Sequence, residues 1–537
     1  MRSKHFFNKS LLFSFLVASS LHSNEPISLE WLETKPRTIT KDFYIWQFLQ
    51  QDITPNDASI ALGGARNVNN TLFTLYAKKI NHDETYAIIE CQNASALDLL
   101  NTSANCVRLG LTPSKALKLN YQEKNQAIEI LQDEYPSYAS LIEILNAPLP
   151  FTKLLAASPK LFFEVFNVIE MNFIEQHLNY KIPISTINKL ALFPNFNLTL
   201  KRIITNKNLN NLQESLLESF DTSKLNTQSL FFLSINALKY EKKELALSYL
   251  EEANKKSYYR SEKDKINFWL YTITQEKEFL EKLSNSYDVN MYALYAKEKL
   301  NKPYKNIMYS LPKASKKSLS AFDSLDPFAW IEVLNNTQNN LKYEELFNTK
   351  QTQAHWAYML EKENKYQTFY YITPYSEYLK GYSTKRKALI YALAKKESHF
   401  IPTAVSSAYA LGVMQIMPFL SKAIAKELNV PYILQEQLTP ATNIKYANHH
   451  LNYLEKQFNN PLFIAYAYNG GAGFMKRTLE KGFIEKNRAY EPFLSMELMS
   501  NDESREYGKQ VLANYYIYIN HLDKKNPIKL STLLENL

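Results

Sequence analysis

Between Gly110 and Gly381 the sequence contains no glycine at all. Tight hairpins draw on Gly or Asn-Gly at positive φ, so a stretch of that length excludes a strand-and-turn domain and leaves helix following helix, with Asn and Pro supplying the breaks. Cysteine is almost missing too. Cys91 and Cys106 are the only two, and in an exported protein they could close one short disulfide loop or stand as two buried thiols. There is no CxxC, no HExxH and no close His/Asp cluster, which argues against a zinc site, and no metal or cofactor is expected. No internal run approaches the roughly 20 apolar residues that span a bilayer, so stable membrane insertion is not expected. Acid is absent in one telling place. From Tyr378 to Lys426 the only Asp or Glu is Glu397.

What is present begins with length. At 537 residues the chain is too long for one core of common size and should divide into two or more domains. Arg2, Lys4 and Lys9 flank a short apolar run, "LLFSFLVASS", followed by small residues. This reads as a cleavable signal peptide over residues 1–23, cut near Ser20 to Ser23. With no Cys there to take a lipid, the expectation is a released, periplasmic protein. The net charge of +9 is spread along the chain and suits an anionic polymer only weakly. Nucleic acid is not an expected partner of an exported chain.

The glycine-free half should be an irregular α-superhelix over residues 24–312, followed by a helical linker over 313–373. One hairpin is legible in "NTQSLFFLSINALKYEKKELALSYLEEANKKS". Asn226 can cap a helix presenting Leu230, Leu233 and Ala237; "YEKKE" turns the chain; a second helix presents Leu245, Tyr249, Leu250 and Ala253. Similar pieces lie on both sides without a fixed period, unlike a strict solenoid. From about residue 374 glycine, methionine and small residues enter. There "TKRKALIYALAKKES" puts Leu389, Ile390, Leu393 and Glu397 on one helical face, a carboxyl where core residues belong. The helix dipole and the apolar surroundings both disfavour its charged form and should raise its pKa.

Four short blocks follow in order: "ES" at Glu397-Ser398, "GVMQIMP" at Gly412 to Pro418, "AYNGG" at Ala467 to Gly471 and "ESREY" at Glu503 to Tyr507. Together they resemble the sequence blocks of the soluble lytic transglycosylases, and the long helical first half is similar in architecture. The resemblance implies a mostly α, lysozyme-like domain with a small β part over residues 374–537. It also implies cleavage of the β-1,4 bond between N-acetylmuramic acid and N-acetylglucosamine in peptidoglycan glycan strands. Glu397 would be the catalytic acid and base, assisted by the substrate's own acetamido group, which accounts for the missing second carboxylate.

Further roles follow from the same resemblance. Tyr468 would hydrogen-bond Glu397 and position it. Ser406 would touch the peptide or muramoyl part, Gln415 an acetamido or hydroxyl group, and Met417 the groove wall. Asn469 would orient its loop or reach a sugar. Glu503, at the start of the last helix, would cap backbone amides or meet substrate. Two positions depart from the pattern the resemblance implies, Gly470 standing in place of Ala and Gly471-Ala472-Gly473 in place of "GPG", which leaves that loop more pliable. Two other readings stand beside the first: a muramidase that admits water, needing a second acid such as Glu503, and a helical scaffold for envelope proteins with an inactive domain.

Overall fold

The computed structural model describes residues 26–80, 83–313, 322–335, 343–535 and 537; the signal-peptide segment, residues 1–23, lies outside them. The chain is mostly α, as the glycine-free stretch requires. The hairpin read from sequence is present as Thr227–Lys239 and Lys243–Lys256, with the Asn226 side chain accepting from the Ser229 amide at 2.9 Å. Every residue of the first helix from Ser229 to Leu238 is buried, because further helices pack on it from both sides. Its partner buries Ala246, Tyr249, Leu250 and Ala253, while Leu245 is only partly covered.

Helix ends in this half solve the glycine shortage in their own way. Glu241, Gln275 and Asn301 adopt left-handed φ of 58°, 61° and 53° after their helices. Asn and Pro were expected to supply the breaks; Glu and Gln accept the mild strain because the left-handed turn satisfies the last carbonyls. Cys91 and Cys106 are joined in a disulfide, which settles the two alternatives left open by sequence. The only sheet among the described residues pairs Ile307–Met308 with Phe369–Tyr370 in parallel. Among the described residues, no helix is long and apolar enough to cross a membrane.

In the last third, helix Thr384–Ser398 packs against the long helix Asp502–Leu522, which also packs on Pro461–Gly470. Gly508 allows this second approach: a Cβ there would lie 2.2 Å from the Tyr466 ring. Lys395, on the Glu397 helix, turns inward to a buried ion pair with Glu361 at 2.9 Å and to the Tyr370 carbonyl. Burial opposes the Glu361 charge, yet Lys395 and His399 outweigh it and hold the carboxyl down at about 2.

The helical half meets the last third of the chain in two places. Tyr409, in the loop before Gly412, is packed by Phe43 and Trp46 from helix Ile39–Phe48, with ring centroids 5.9 and 5.7 Å away, and accepts from Asn69. On another side Tyr292 donates to the buried Glu497, which also accepts from Lys509 at 2.9 Å, and Phe268 packs on Phe493 at 4.6 Å. The helical half therefore touches the last third of the chain near both of its own ends, at the Tyr409 loop and at the C-terminal helices.

Candidate active site

Glu397 lies one residue before the end of its helix, which His399 terminates in the left-handed conformation. Neighbouring Ser398 donates to the Val413 carbonyl at 2.7 Å and ties the helix end to the "GVMQIMP" loop. That loop is a compact set of bridges, with Leu411 and Ile416 exchanging backbone hydrogen bonds at 3.1 and 3.0 Å. Gly412 sits in it at φ 80°, and a Cβ there would lie 2.2 Å from the Gln437 carbonyl oxygen. Asn443, from helix Pro440–Glu455, clasps the loop on both sides: it accepts from the Met414 amide at 2.7 Å and donates to the Leu411 carbonyl at 3.0 Å.

Glu397 opens into a cleft of about 540 Å³ lined also by Lys396, Asn469, Asp502, Glu503, Glu506 and Tyr507. Burial is the main force on its carboxyl; the Tyr507 hydrogen bond and Lys396 pull the other way, Glu503 adds to it, and the pKa is pushed up to about 7. The raised value was expected, and burial, one of the two causes expected, is the largest. Tyr507 donates to Glu397 Oε1 at 2.6 Å. Burial first, then Glu397, push the Tyr507 hydroxyl far above its ordinary range, so it stays a donor.

This corrects the expected role of Tyr468. Its hydroxyl donates to the Met414 carbonyl at 2.8 Å instead of to Glu397. Tyr468 therefore braces the loop, and Tyr507 makes the contact assigned to it. Tyr507 stands in the "ESREY" block and was not singled out; its one legible signal was a place one turn after Glu503 on the same helix.

The other residues read from sequence divide. Asn469 and Glu503 meet, Asn469 Nδ2 donating to Glu503 Oε1 at 2.8 Å, while Ser504 Oγ donates to Asn469 Oδ1. Asn469 belongs to helix Pro461–Gly470 rather than to a loop; the chain turns only at Gly471, φ 90°. Helix Asp502–Leu522, which a shorter helix Leu530–Glu535 follows, is capped by Asn501, whose side chain accepts from the Ser504 amide, so Glu503 is not the cap. Gln415 spends its amide hydrogens on the Ala404 and Gly412 carbonyls at 3.0 and 2.8 Å, which leaves its oxygen as acceptor and removes the expected donor. Ser406 Oγ accepts from the Ala410 amide at 2.9 Å. Met417 is partly exposed at the start of helix Pro418–Glu427, whereas Met414 is fully buried. Neither Ser406, Gln415 nor Met417 lines the cleft that Glu397 opens into.

Comparison with known proteins follows the same segment. Residues 375–490 match the family described as Transglycosylase SLT domain. The soluble lytic murein transglycosylase of Escherichia coli K12 is 33% identical over 154 residues, 27% of this chain and 23% of that protein. Its counterpart from Salmonella typhimurium is 34% identical over 135 residues, 24% of this chain and 20% of that protein. The chain thus matches less than a quarter of the length of these curated relatives. The crystal structure of the 70 kDa soluble lytic transglycosylase from E. coli aligns at 18% identity and a TM-score of 0.48, covering 94% of this chain and 84% of that one. Residues 375–490 match the Transglycosylase SLT domain, and this segment holds three of the four motif blocks, at Glu397-Ser398, Gly412 to Pro418 and Ala467 to Gly471.

Proposed function

We propose that the protein is a periplasmic peptidoglycan lytic transglycosylase, with a helical superhelix over residues 24–312, a linker over 313–373 and the catalytic domain over 374–537. One observation carries this reading: a carboxyl with a pKa of about 7, Glu397, held by a tyrosine hydroxyl at the wall of an open cleft. Near neutral pH such a group can both give and take a proton. Glu397 protonates the glycosidic oxygen as the C1–O bond breaks, and the muramoyl acetamido oxygen holds the sugar cation at C1. The Glu397 carboxylate then accepts the proton of the C6 hydroxyl, whose oxygen closes on C1 to leave a 1,6-anhydro end without water. The names of the relatives point the same way.

Hydrolysis by a muramidase is the second reading, favoured by Glu503, which lines the same cleft and could activate a water. Its carboxylate, however, is engaged by Asn469. Gln415 oxygen, Met417, Ser406 and Asn469 are proposed to contact the glycan. The deciding experiment is mass analysis of digested peptidoglycan. Muropeptides ending in 1,6-anhydromuramic acid support the first reading, reducing muramic acid ends support the second, and no soluble product from the folded protein supports the scaffold.

A further inference from the structure

Glu361, on helix Gln353–Glu363, is a buried carboxylate that the reaction proposed above does not use. Its Oε1 accepts from Lys395 Nζ at 2.9 Å and from the Tyr370 amide at 2.6 Å, and its Oε2 lies 3.6 Å from His399 Nδ1. Lys395 and His399 stand two residues before and two after Glu397. Along an α-helix residues two apart face opposite ways and residues four apart face the same way, so one carboxylate holds the back of the turn whose front presents Glu397. The Lys395 ammonium is fixed further by the Tyr370 carbonyl at 3.1 Å and by the Tyr371 ring at 4.9 Å, and Tyr358 sets its ring edge to face with His399 at 5.4 Å. Tyr358, Tyr370, Tyr371 and Tyr518 also feel the Glu361 charge, but burial is the larger cause that raises all four hydroxyls, so they stay neutral.

That turn ends abruptly. His399 and Phe400 are consecutive non-glycine residues in the left-handed conformation, φ 51° and 67°, and the amides of both turn back to the Ala394 carbonyl. Such a pair persists only where its surroundings over-determine it. Ser398 ties the turn to Val413, Tyr375 donates to the Phe400 carbonyl at 3.1 Å, and the Glu361 contacts restrain the back. We propose that Glu361 is a positioning residue for the reaction: by anchoring Lys395 and His399 it fixes the last turn so that the Glu397 carboxyl meets both the Tyr507 hydroxyl and the cleft. The inference rests on Glu397 being the catalytic acid and base, as proposed above. Helix Gln353–Glu363 precedes the residues that match the family, so a segment outside the match contributes to the geometry of the reaction.

Removing Glu361 alone strands Lys395 without its ion-pair partner, so the test uses the full-length double variant Glu361→Gln/Lys395→Met, which removes both charges together. A second variant, His399→Gly, keeps the ion pair but drops the tether at the end of the turn; glycine suits the left-handed backbone there, so it should melt no lower than wild type. On soluble glycan strands kcat is expected to fall at least about tenfold in the double variant and less in His399→Gly, with KM unchanged in both. The alkaline limb of the pH–rate profile should move upward, because a displaced Glu397 loses the Tyr507 hydrogen bond that favours its charged form. For the same reason the double variant should add little to the loss caused by Tyr507→Phe. Carbon-13 NMR titration of the Glu397 carboxyl, assigned by difference from Glu397→Gln, reads the same shift without turnover. An unchanged kcat and limb in the folded double variant, a loss that adds in full to that of Tyr507→Phe, or a loss accounted for by the fraction unfolded at the assay temperature would each overturn the proposal. If the double variant does not fold, His399→Gly decides, and an unchanged kcat and carboxyl titration in it overturn the proposal. Failure of the transglycosylase reading would show instead as no anhydro product from wild type while the Glu397 titration still shifts in the variants.

Discussion

Burial keeps Glu397 near neutrality, and Tyr507 restrains how far it goes. Removing the Tyr507 hydroxyl takes away a hydrogen bond that favours the charged form, so Tyr507→Phe should raise the Glu397 pKa above about 7. Activity should fall roughly 10- to 100-fold, as for loss of a charge-assisted hydrogen bond, and the alkaline limb of the pH–rate profile should move upward. An unmoved limb would make Tyr507 merely structural. Tyr468→Phe should leave that limb in place, because its hydroxyl braces Met414. The same shift links to stability. The Glu397 carboxyl binds its proton more tightly folded than unfolded, so its contribution is present below about pH 4.5 and is lost as pH rises through about 7. Glu397→Gln should abolish that dependence, a gain on the order of 3 kcal/mol at most above pH 7, visible as a higher Tm there than wild type.

Among the elements, the loop around Gly412 leaves no room for a side chain. Its φ of 80° and the Gln437 carbonyl 2.2 Å from any Cβ predict that Gly412→Ala loses about 2 kcal/mol or more and most activity, measured by thermal unfolding and muropeptide release. The long helices were legible because apolar residues recur at helical spacing, and Glu397 was legible as a lone acid on such a face. "AYNGG" misled because Asn-Gly is a strong turn signal, yet Tyr466 and Ala467 are buried and carry the helix through to Gly470. Tyr507 and Asn443 stayed hidden for a different reason. Periodicity places a residue on a face of its own helix but is silent about a partner 110 positions away, the separation between Tyr507 and Glu397. Lys395 shows the same limit, since its partner Glu361 lies on another helix.

At the scale of the whole molecule, the helical half holds the SLT domain through buried charge. Lys509 neutralises Glu497, which Tyr292 of the helical half also donates to. Lys509→Met leaves Glu497 buried without its ion-pair partner, with the more distant Lys265 as counter-charge, and should destabilise by about 3 to 5 kcal/mol, read by denaturant unfolding. Because Lys509 and Tyr507 share one helix, the loosened interface should also lower turnover. All of this bears on a claim about one carboxyl. The most direct test compares wild type and Glu397→Gln on purified peptidoglycan, with soluble muropeptides identified by mass. The account predicts 1,6-anhydromuramoyl products from wild type and a fall of at least about 10²-fold in the folded variant; near-normal anhydro product from Glu397→Gln would contradict it.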